Sequence, residues 1–407
     1  MKAKWKNNKN LKPRVILAKL ESIKNVSEDH RLSFPLFEYK TAMAALQNMV
    51  LFPDKTNSLN HESLVSTAID NIAKNTALTE SNVITEINSI IKTELATREH
   101  KYHMLTSISL KKPYPSKLIK IEDCQIRILG FNYPKKYTGR KTLINKYNKI
   151  KKGTSTNYAK VIVSVKAKSA KGAATAAFRA LDIQRSIWCL FGNFLNEQWG
   201  NEWNPINKIR LGETHTIHKD NGKIATNEFW YESNFVEAKL FADRDPKEYS
   251  KYCKWTLNKL NKLPYKEELK NAMLRYVRAL DERDQNVALI QLWGALEAIA
   301  SPSGANYDLV TRRCAFLFKE NDYHKQVLEH LREYRNRSIH AGDQSEKAKI
   351  NCYLLQYYFK ELVLFHLNFS GEFSSLNEAN SFLDLPSNKK DLENKKQLID
   401  KAIKFVS

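Results

Sequence analysis

The chain has 407 residues, a length typical of two or three domains. Its 66 Lys and Arg residues exceed its 44 Asp and Glu residues, which gives a formal net charge of +22, and 42% of its residues are hydrophobic. That composition can build sizeable cores and excludes global disorder. The five Cys lie apart, with no C-x-x-C pair, so neither a disulfide scaffold nor a structural zinc cluster is expected.

The N-terminus is basic but is followed by no apolar segment of the kind found in secretory signals. The sequence also lacks the run of roughly 18 apolar residues that a membrane span needs. We therefore expect a cytoplasmic protein with no membrane partner.

The positive charge is concentrated in one part of the chain. Residues 101–200 contain 20 Lys and Arg against 4 Asp and Glu, and residues 101–180 contain only the acids Glu122 and Asp123. A genome-wide bias towards lysine would spread the excess evenly. The clustering favours a polyanionic partner, above all a nucleic acid, over a merely solvated lysine surface.

The N-terminal half has mixed patterns of α and β structure. We expect a basic arm or edge strand over 1–20, and a helix that Ser81 can cap begins near residue 79. Alternating and β-branched segments predict strands, and the sequence Asp220-Asn221-Gly222-Lys223 predicts the turn of a hairpin. The expected elements are helices at 37–51, 81–95 and 169–191, strands at 104–110, 119–129 (two) and 161–165, a hairpin at 211–232, and an RNA-facing loop at 132–157.

After residue 245 only helical patterns follow. The segment 286–300 is apolar nearly all round, which predicts the central, buried helix of a bundle. The expected helices are 251–263, 265–281, 286–300, 308–319, 322–341 and 351–368. The predicted fold class is α+β, with a basic α/β domain over 1–245 that binds RNA or senses a signal, an all-α bundle over 246–370 and a polar tail over 371–407.

Most familiar catalytic motifs are absent from the sequence, including the P-loop and H-E-x-x-H. Two H-x-x-H spacings occur, at His100/His103 and His215/His218, without a nearby Cys or an evident third ligand. We interpret them as ordinary surface histidines and predict neither a metal site nor a cofactor.

One helical segment, residues 331–342, combines an apolar stripe with several polar residues. Gly342 is well placed to end the helix, and Asn336 and His340 are four residues apart, so they share one face. Arg335 lies five residues before His340, about 140° around an ideal helix, so a two-fold partner or a frayed last turn would be needed to bring them together. The stripe consists of Val327, Leu331, Tyr334, Ser338 and Ala341.

The pattern Arg335-Asn336-x-x-x-His340, which closes a helix of the bundle, resembles the motif of the HEPN superfamily. Over residues 246–370 the surroundings are similar to its Apea-like subgroup. An apolar helix ends in Leu296-Glu297, an Arg-bearing segment follows at 311–315, and the chain reaches His340-Ala341-Gly342 where the subgroup usually has His-Gly.

This resemblance implies a metal-independent endoribonuclease that acts as a homodimer through the helical domain, often as a toxin or an anti-phage, abortive-infection protein. Arg335, Asn336 and His340 would then be the catalytic residues. The implied partners are RNA, with tRNA as a family-level expectation, and a phage-derived trigger or an antitoxin.

For each of these residues the sequence also allows a purely structural role. Arg335 and Arg337 suit the negative end of a helix dipole, and His340 could cap the helix. Glu297 lies in an apolar helix, so we expect it to be architectural, with Arg312 or Arg313 as its partner. The residues predicted to bind RNA are Lys135, Lys136, Arg140, Lys141, Lys151, Lys152 and Arg337.

Two other functions stay open at this point. One is a non-catalytic HEPN module that binds RNA, a nucleotide or a partner protein without cutting. The other is a structural protein associated with DNA.

Overall fold

The structure, a computed structural model, describes residues 2–27, 31–56, 59–147, 157–193, 204–302, 304, 307–340 and 348–406. Residues 54, 147, 307, 339 and 340 are described by their backbone alone. Over these ranges the fold is α+β, as predicted, with fourteen α-helices and a six-stranded antiparallel sheet. None of the described helices is long and apolar enough to cross a membrane.

The helices are α1 Pro13–Ile23, α2 Leu36–Gln47, α3 His61–Ala73, α4 Glu80–Ala96, α5 Gly139–Tyr147, α6 Ala170–Gly192, α7 Pro246–Lys262, α8 Lys266–Leu280, α9 Gln285–Ala300, α10 Tyr307–Ala315, α11 Asn321–His340, α12 Ala348–Asn368, α13 Leu376–Leu383 and α14 Lys389–Val406. The strands are β1 Lys4–Trp5, β2 Asn25–Val26, β3 Leu32–Ser33, β4 Val50–Leu51, β5 His100–Ile108, β6 Leu118–Ile121, β7 Cys124–Ile128, β8 Ala159–Ala167, β9 Thr214–Lys219 and β10 Trp230–Tyr231.

Helices α1 to α4 surround a small hydrophobic core of their own. The basic arm contributes β1, which pairs with β4, and then α1. Helix α4 begins earlier than Ser81, because the Thr79 hydroxyl accepts a hydrogen bond from the Asn82 amide and caps the helix.

The main sheet has the strand order β10-β9-β5-β8-β7-β6. Alternation along β8 puts Val161, Val163 and Val165 into the core, whereas Lys160 and Lys166 lie on the opposite face. We call that opposite face, with Lys101, Lys120, Arg127, Lys160 and Lys166, the basic face. The predicted strands and hairpin are confirmed, and their spacing explains why much of the basic block lies on one side of the sheet.

Helix α6 lies between the sheet and the helical bundle. Ser169 caps it, and its small residues Ala173, Ala174 and Ala177 are fully buried, as the small-residue pattern predicted. Every residue from Leu181 to Leu190 is buried, so this part of the helix has no solvent-facing side.

The hydrophobic core does not divide at residue 245. Side chains of the sheet, α6 and the bundle helices belong to one continuous cluster. Helix α9 is central, as predicted, although Val287 near its start is 39% exposed. The bundle also continues into the expected polar tail, because Leu376, Ala379 and Leu383 of α13 are buried in the same core, whereas α14 has no buried residue.

The segment 132–157 was expected to be a loop, but its described part is ordered structure. A short 3₁₀ turn, Lys135–Tyr137, leads into α5. Tyr137 and Leu143 are buried, and Tyr137 packs with Leu105 and Ile162 on the sheet face opposite α6. The charged composition concealed these few apolar anchors. Residues 148–156 lie outside the described residues.

A buried ionic network joins the sheet, α6 and α8. Arg185, with a side chain that is 0% exposed, donates to Asp182 at 2.8 Å and to Asp281 at 2.6 Å. Arg278 bridges Asp182 and Glu232, and Glu232 lies 3.2 Å from His215 Nε2 of β9. Burial would raise the pKa of the Glu232 carboxyl, but His215 and Arg278 lower it to about 2.

Replacing Arg185 tests this network. We expect Arg185→Met to lower the free energy of unfolding by about 3–5 kcal/mol, because it leaves buried carboxylates without their main cation. Chemical denaturation measures the loss, and Arg283→Met, at an exposed arginine just beyond α8, is the matched control. Equal stability of the two variants would contradict a stabilising role for the network.

The buried His366 of α12 makes stability depend on pH. Its ring is 0% exposed, Nδ1 lies 3.1 Å from the Tyr265 hydroxyl, and burial lowers its pKa from 6.5 to about 3. Between pH 6.5 and about pH 3, His366 therefore binds a proton in the unfolded chain but not in the folded chain. This group's contribution to stability is complete above pH 6.5 and is lost as the pH falls through that interval.

We expect His366→Gln, which can still accept from Tyr265 but does not titrate, to be less sensitive to acid than the wild type. Between pH 7 and pH 5 its loss of unfolding free energy should be smaller by about 2 kcal/mol, since one pH unit corresponds to about 1.4 kcal/mol. Denaturation curves at the two pH values give this difference. His330→Gln, at an exposed position of α11, should retain the wild-type slope.

Candidate functional site

Helix α11 presents Arg335 and Asn336 next to each other near its C-terminal end. Both side chains are half-buried, and Arg335 Nη1 donates to Asn336 Oδ1 at 3.1 Å. The buried Tyr334 hydroxyl donates to Asn286 Oδ1 of α9 at 2.8 Å. This hydrogen bond fixes the end of α11 to the central helix and so holds the Arg-Asn pair in place.

His340 is the last residue of α11, one helical turn after Asn336. Its side chain, together with residues 341–347 and hence Gly342, lies outside the described residues. The backbone therefore puts positions 336 and 340 on the same side of the helix, as the spacing predicted. The contacts of the imidazole stay a prediction.

Charged residues surround this end of α11. Arg332 pairs with Asp308 of α10 and, at 2.8 Å, with Glu329. Arg337, one of the residues predicted to bind RNA, is exposed. Arg332 is thus engaged with carboxylates, whereas Arg337 points its charge at solvent.

The expected pairing of Glu297 with Arg312 or Arg313 was wrong. Both arginines pair with Asp384, which follows α13, at 2.7 and 2.6 Å. Glu297 instead accepts a hydrogen bond from Trp293 Nε1, one turn earlier in α9, at 2.8 Å. All three residues thus have structural contacts. The two arginines connect α10 to the end of α13 through Asp384. Asp384 lies too far along the sequence for a local pattern to predict this pairing.

The basic region predicted to bind RNA divides into exposed and engaged cations. Lys135, Lys136 and Lys141 are exposed, with Lys136 Nζ donating to the Asp220 carbonyl at 2.8 Å. Lys151 and Lys152 lie outside the described residues. RNA contact by these lysines stays a prediction.

Arg140 differs from its neighbours because its guanidinium is bound to the sheet. It donates to the Leu105 carbonyl at 3.1 Å, to Thr216 Oγ1 at 2.7 Å, and to the carbonyl and hydroxyl of Thr214 at 2.8 and 3.2 Å. Burial lowers its pKa. Its main role is therefore to clamp α5 onto β5 and β9, rather than to present a mobile charge to RNA.

Three of the four H-x-x-H histidines are buried rather than on the surface as expected; His100 is exposed. His103 contacts Ser164 at 2.8 Å and Asp220 at 2.9 Å, and His218 contacts the Gly222 carbonyl at 3.0 Å. Burial lowers the pKa values of His103, His215 and His218. Among the described residues, no group of three His, Cys, Asp or Glu side chains could hold a metal ion.

The hairpin turn helps to position the segment that covers the basic face. Gly222 has a φ of 89°, and a Cβ atom there would lie 2.4 Å from the Lys136 carbonyl oxygen. Only glycine satisfies both the left-handed backbone and this close approach. The predicted hairpin turn therefore also packs against the 3₁₀ turn Lys135–Tyr137.

Comparisons of the chain with known protein families, with curated proteins and with solved structures find no match.

Because Arg140 holds α5 on the sheet, we expect its replacement to lower the stability of the protein. Arg140→Met should lower the free energy of unfolding by about 1.5–3 kcal/mol, because it removes charged hydrogen bonds and leaves polar atoms of two strands unpaired. The exposed neighbour in Lys141→Met should change stability by less than about 0.5 kcal/mol. If urea denaturation shows both variants to be as stable as the wild type, Arg140 is not a clamp.

Proposed function

We propose that the protein is a metal-independent endoribonuclease whose reaction centre is the C-terminal end of α11. The observation that carries this proposal is the Arg335–Asn336 hydrogen bond, placed one turn before a helix-terminal histidine and fixed to the central helix through Tyr334. The resemblance to the HEPN motif over the same residues supports it.

The chemistry requires few groups, because RNA supplies its own nucleophile, the 2′-hydroxyl. The reference pKa of a histidine side chain is near 6.5, so a histidine at position 340 can take a proton from that hydroxyl or give one to the leaving 5′-oxygen at neutral pH. Arg335 stabilises the charge that develops on the phosphorane, and Asn336 orients the guanidinium through their hydrogen bond. The products are a 2′,3′-cyclic phosphate and a 5′-hydroxyl.

The basic face supports RNA as the substrate class. Lys101 and Lys166 are opposite each other in the register of β5 and β8, and Lys120 and Arg127 extend the charge across β6 and β7. These side chains are exposed. Such a surface binds phosphates with release of counterions, without selecting a base sequence.

We further propose that the enzyme acts as a homodimer. A two-fold interface would bring two copies of the α11 motif into one cleft and overcome the angular separation of positions 335 and 340 along a single helix. We also propose a role as a toxin or an anti-phage defence protein, as the resemblance implies, with a phage-derived trigger or an antitoxin as its partner.

A cleavage assay in EDTA tests the reaction centre. Cellular RNA should be cut by the wild type, and Arg335→Ala and His340→Ala should each be at least about 100-fold slower, a typical contribution of a general acid or base. His330→Ala, an exposed histidine on the same helix, is the matched control and should cut at the wild-type rate. End mapping should show cyclic phosphates.

Two results would sink the proposal. One is cleavage that survives both substitutions. The other is the absence of cleavage of any cellular RNA by a wild type that binds it tightly, which would indicate instead a non-catalytic module that holds RNA.

A further inference from the structure

A cavity of about 610 Å³ lies between the open face of the sheet and the segment that contains α5. The described residues that form its walls are 107, 132–135, 137, 138, 140, 141, 144, 145, 160, 213 and 214. None of these belongs to α11, so the cavity is separate from the proposed reaction centre. Its volume is within the range of about 300–1,000 Å³ that is usual for small-molecule sites.

The charge of the cavity walls is strongly positive. Among the described residues, four cationic side chains line it, Lys135, Arg140, Lys141 and Lys160, against the one carboxylate of Glu213. Arg140 is held in place by the sheet, so its charge is a fixed part of the wall. Burial lowers the pKa of Lys160, and the nearby positive charge of Arg140 lowers it further. An anionic group would relieve this repulsion.

The same walls have flat and apolar parts. The Tyr133 ring stacks over the Arg140 guanidinium, 5.2 Å from ring centroid to Cζ, and its hydroxyl donates to the Thr106 carbonyl. Tyr137 is held edge-on by the buried rings of His103 and His218. The Tyr133 ring is therefore fixed before any ligand binds, which reduces the entropy cost of binding.

Asn132 and Asn145 add uncharged polar groups, and both are exposed. An amide can pair with both donors and acceptors on the edge of a heterocyclic base. A bare phosphate would leave the Tyr133 ring and the amides unused, and an apolar ligand would not use the positive charge of the walls. The combination matches a ligand that has an anionic and a flat, polar part.

We propose that this cavity binds a phosphorylated nucleoside, with its phosphate at Lys135 and Lys141 and its base against the Tyr133 ring. The ligand has two sources with the same chemistry, a free mononucleotide or one unpaired nucleotide of an RNA strand. The RNA source rests on the proposed function, whereas the mononucleotide source does not.

Isothermal titration of the full chain with 5′-AMP, 5′-UMP, adenosine and inorganic phosphate tests the ligand class. At least one mononucleotide should bind, and at least tenfold more tightly than adenosine or phosphate. A single-stranded RNA 12-mer, titrated into the Arg335→Ala variant so that it stays intact, tests the second source. If adenosine or phosphate binds as tightly as the mononucleotides, and the 12-mer shows no dependence on the cavity, the proposal is overturned.

Matched variants locate the binding. Lys141→Gln should weaken binding about tenfold, whereas Lys146→Gln, an exposed lysine on the same helix outside the cavity walls, should not. Asn145→Phe should weaken it by filling the space, and thermal unfolding verifies that each variant is folded. An effect on the mononucleotides identifies a free ligand, and an effect on the 12-mer alone identifies a strand.

If Lys141→Gln and Asn145→Phe bind every ligand as the wild type does, the cavity is not the site. This failure is distinguishable from failure of the proposed function. Cleavage depends on Arg335 and His340, whereas the mononucleotide titrations measure binding without cleavage and the 12-mer titration uses a chain that lacks Arg335.

Discussion

The burial of Arg185 between Asp182 and Asp281 is the constraint on which the rest of the architecture depends. A guanidinium without exposure to solvent must have its donors paired, and here the partners come from α6 and from the residue that follows α8. Arg278 extends the pairing to Glu232, and Glu232 to His215 of the sheet. The sheet and the bundle are therefore joined by directional contacts as well as by apolar packing, which explains why a boundary at residue 245 does not separate two cores.

The distribution of charge follows from the same arrangement. Helix α6 covers one face of the sheet and buries the valines of β8, so Lys101 of β5 and Lys160 and Lys166 of β8 lie on the other face. On that face Arg140 binds the sheet and holds α5 in place, whereas the neighbouring Lys135, Lys136 and Lys141 are exposed. A count of positive residues thus overstates the number of charges available to a polyanion, because the Arg140 guanidinium is bound to β5 and β9.

Much of the fold could be predicted from local patterns. The β-branched strand at 161–165, the turn at Asp220–Lys223 and the apolar helix α9 all have short-range signatures, and each is confirmed. Partners distant in sequence could not be predicted. Arg312 and Arg313 pair with Asp384 instead of the expected Glu297. His103, His215 and His218 are buried because β5 and β9, which are far apart in sequence, pair in the sheet. The segment 132–147 was misjudged because Tyr137 and Leu143 are few among many polar residues, yet their burial decides its structure.

For the candidate site, the sequence could supply the helix and its spacing but not the support behind it. Nothing near Arg335 in the sequence indicates that Tyr334 donates to Asn286 of another helix, yet this contact restrains the last turns of α11. Such restraint matters for Arg335 and Asn336. If the end of the helix unwound, water would compete for the hydrogen bond between their side chains. In the proposed enzyme, the bundle would hold the α11 motif rigid and the basic face would attract the RNA. The continuous core beneath both keeps the two contributions in one body.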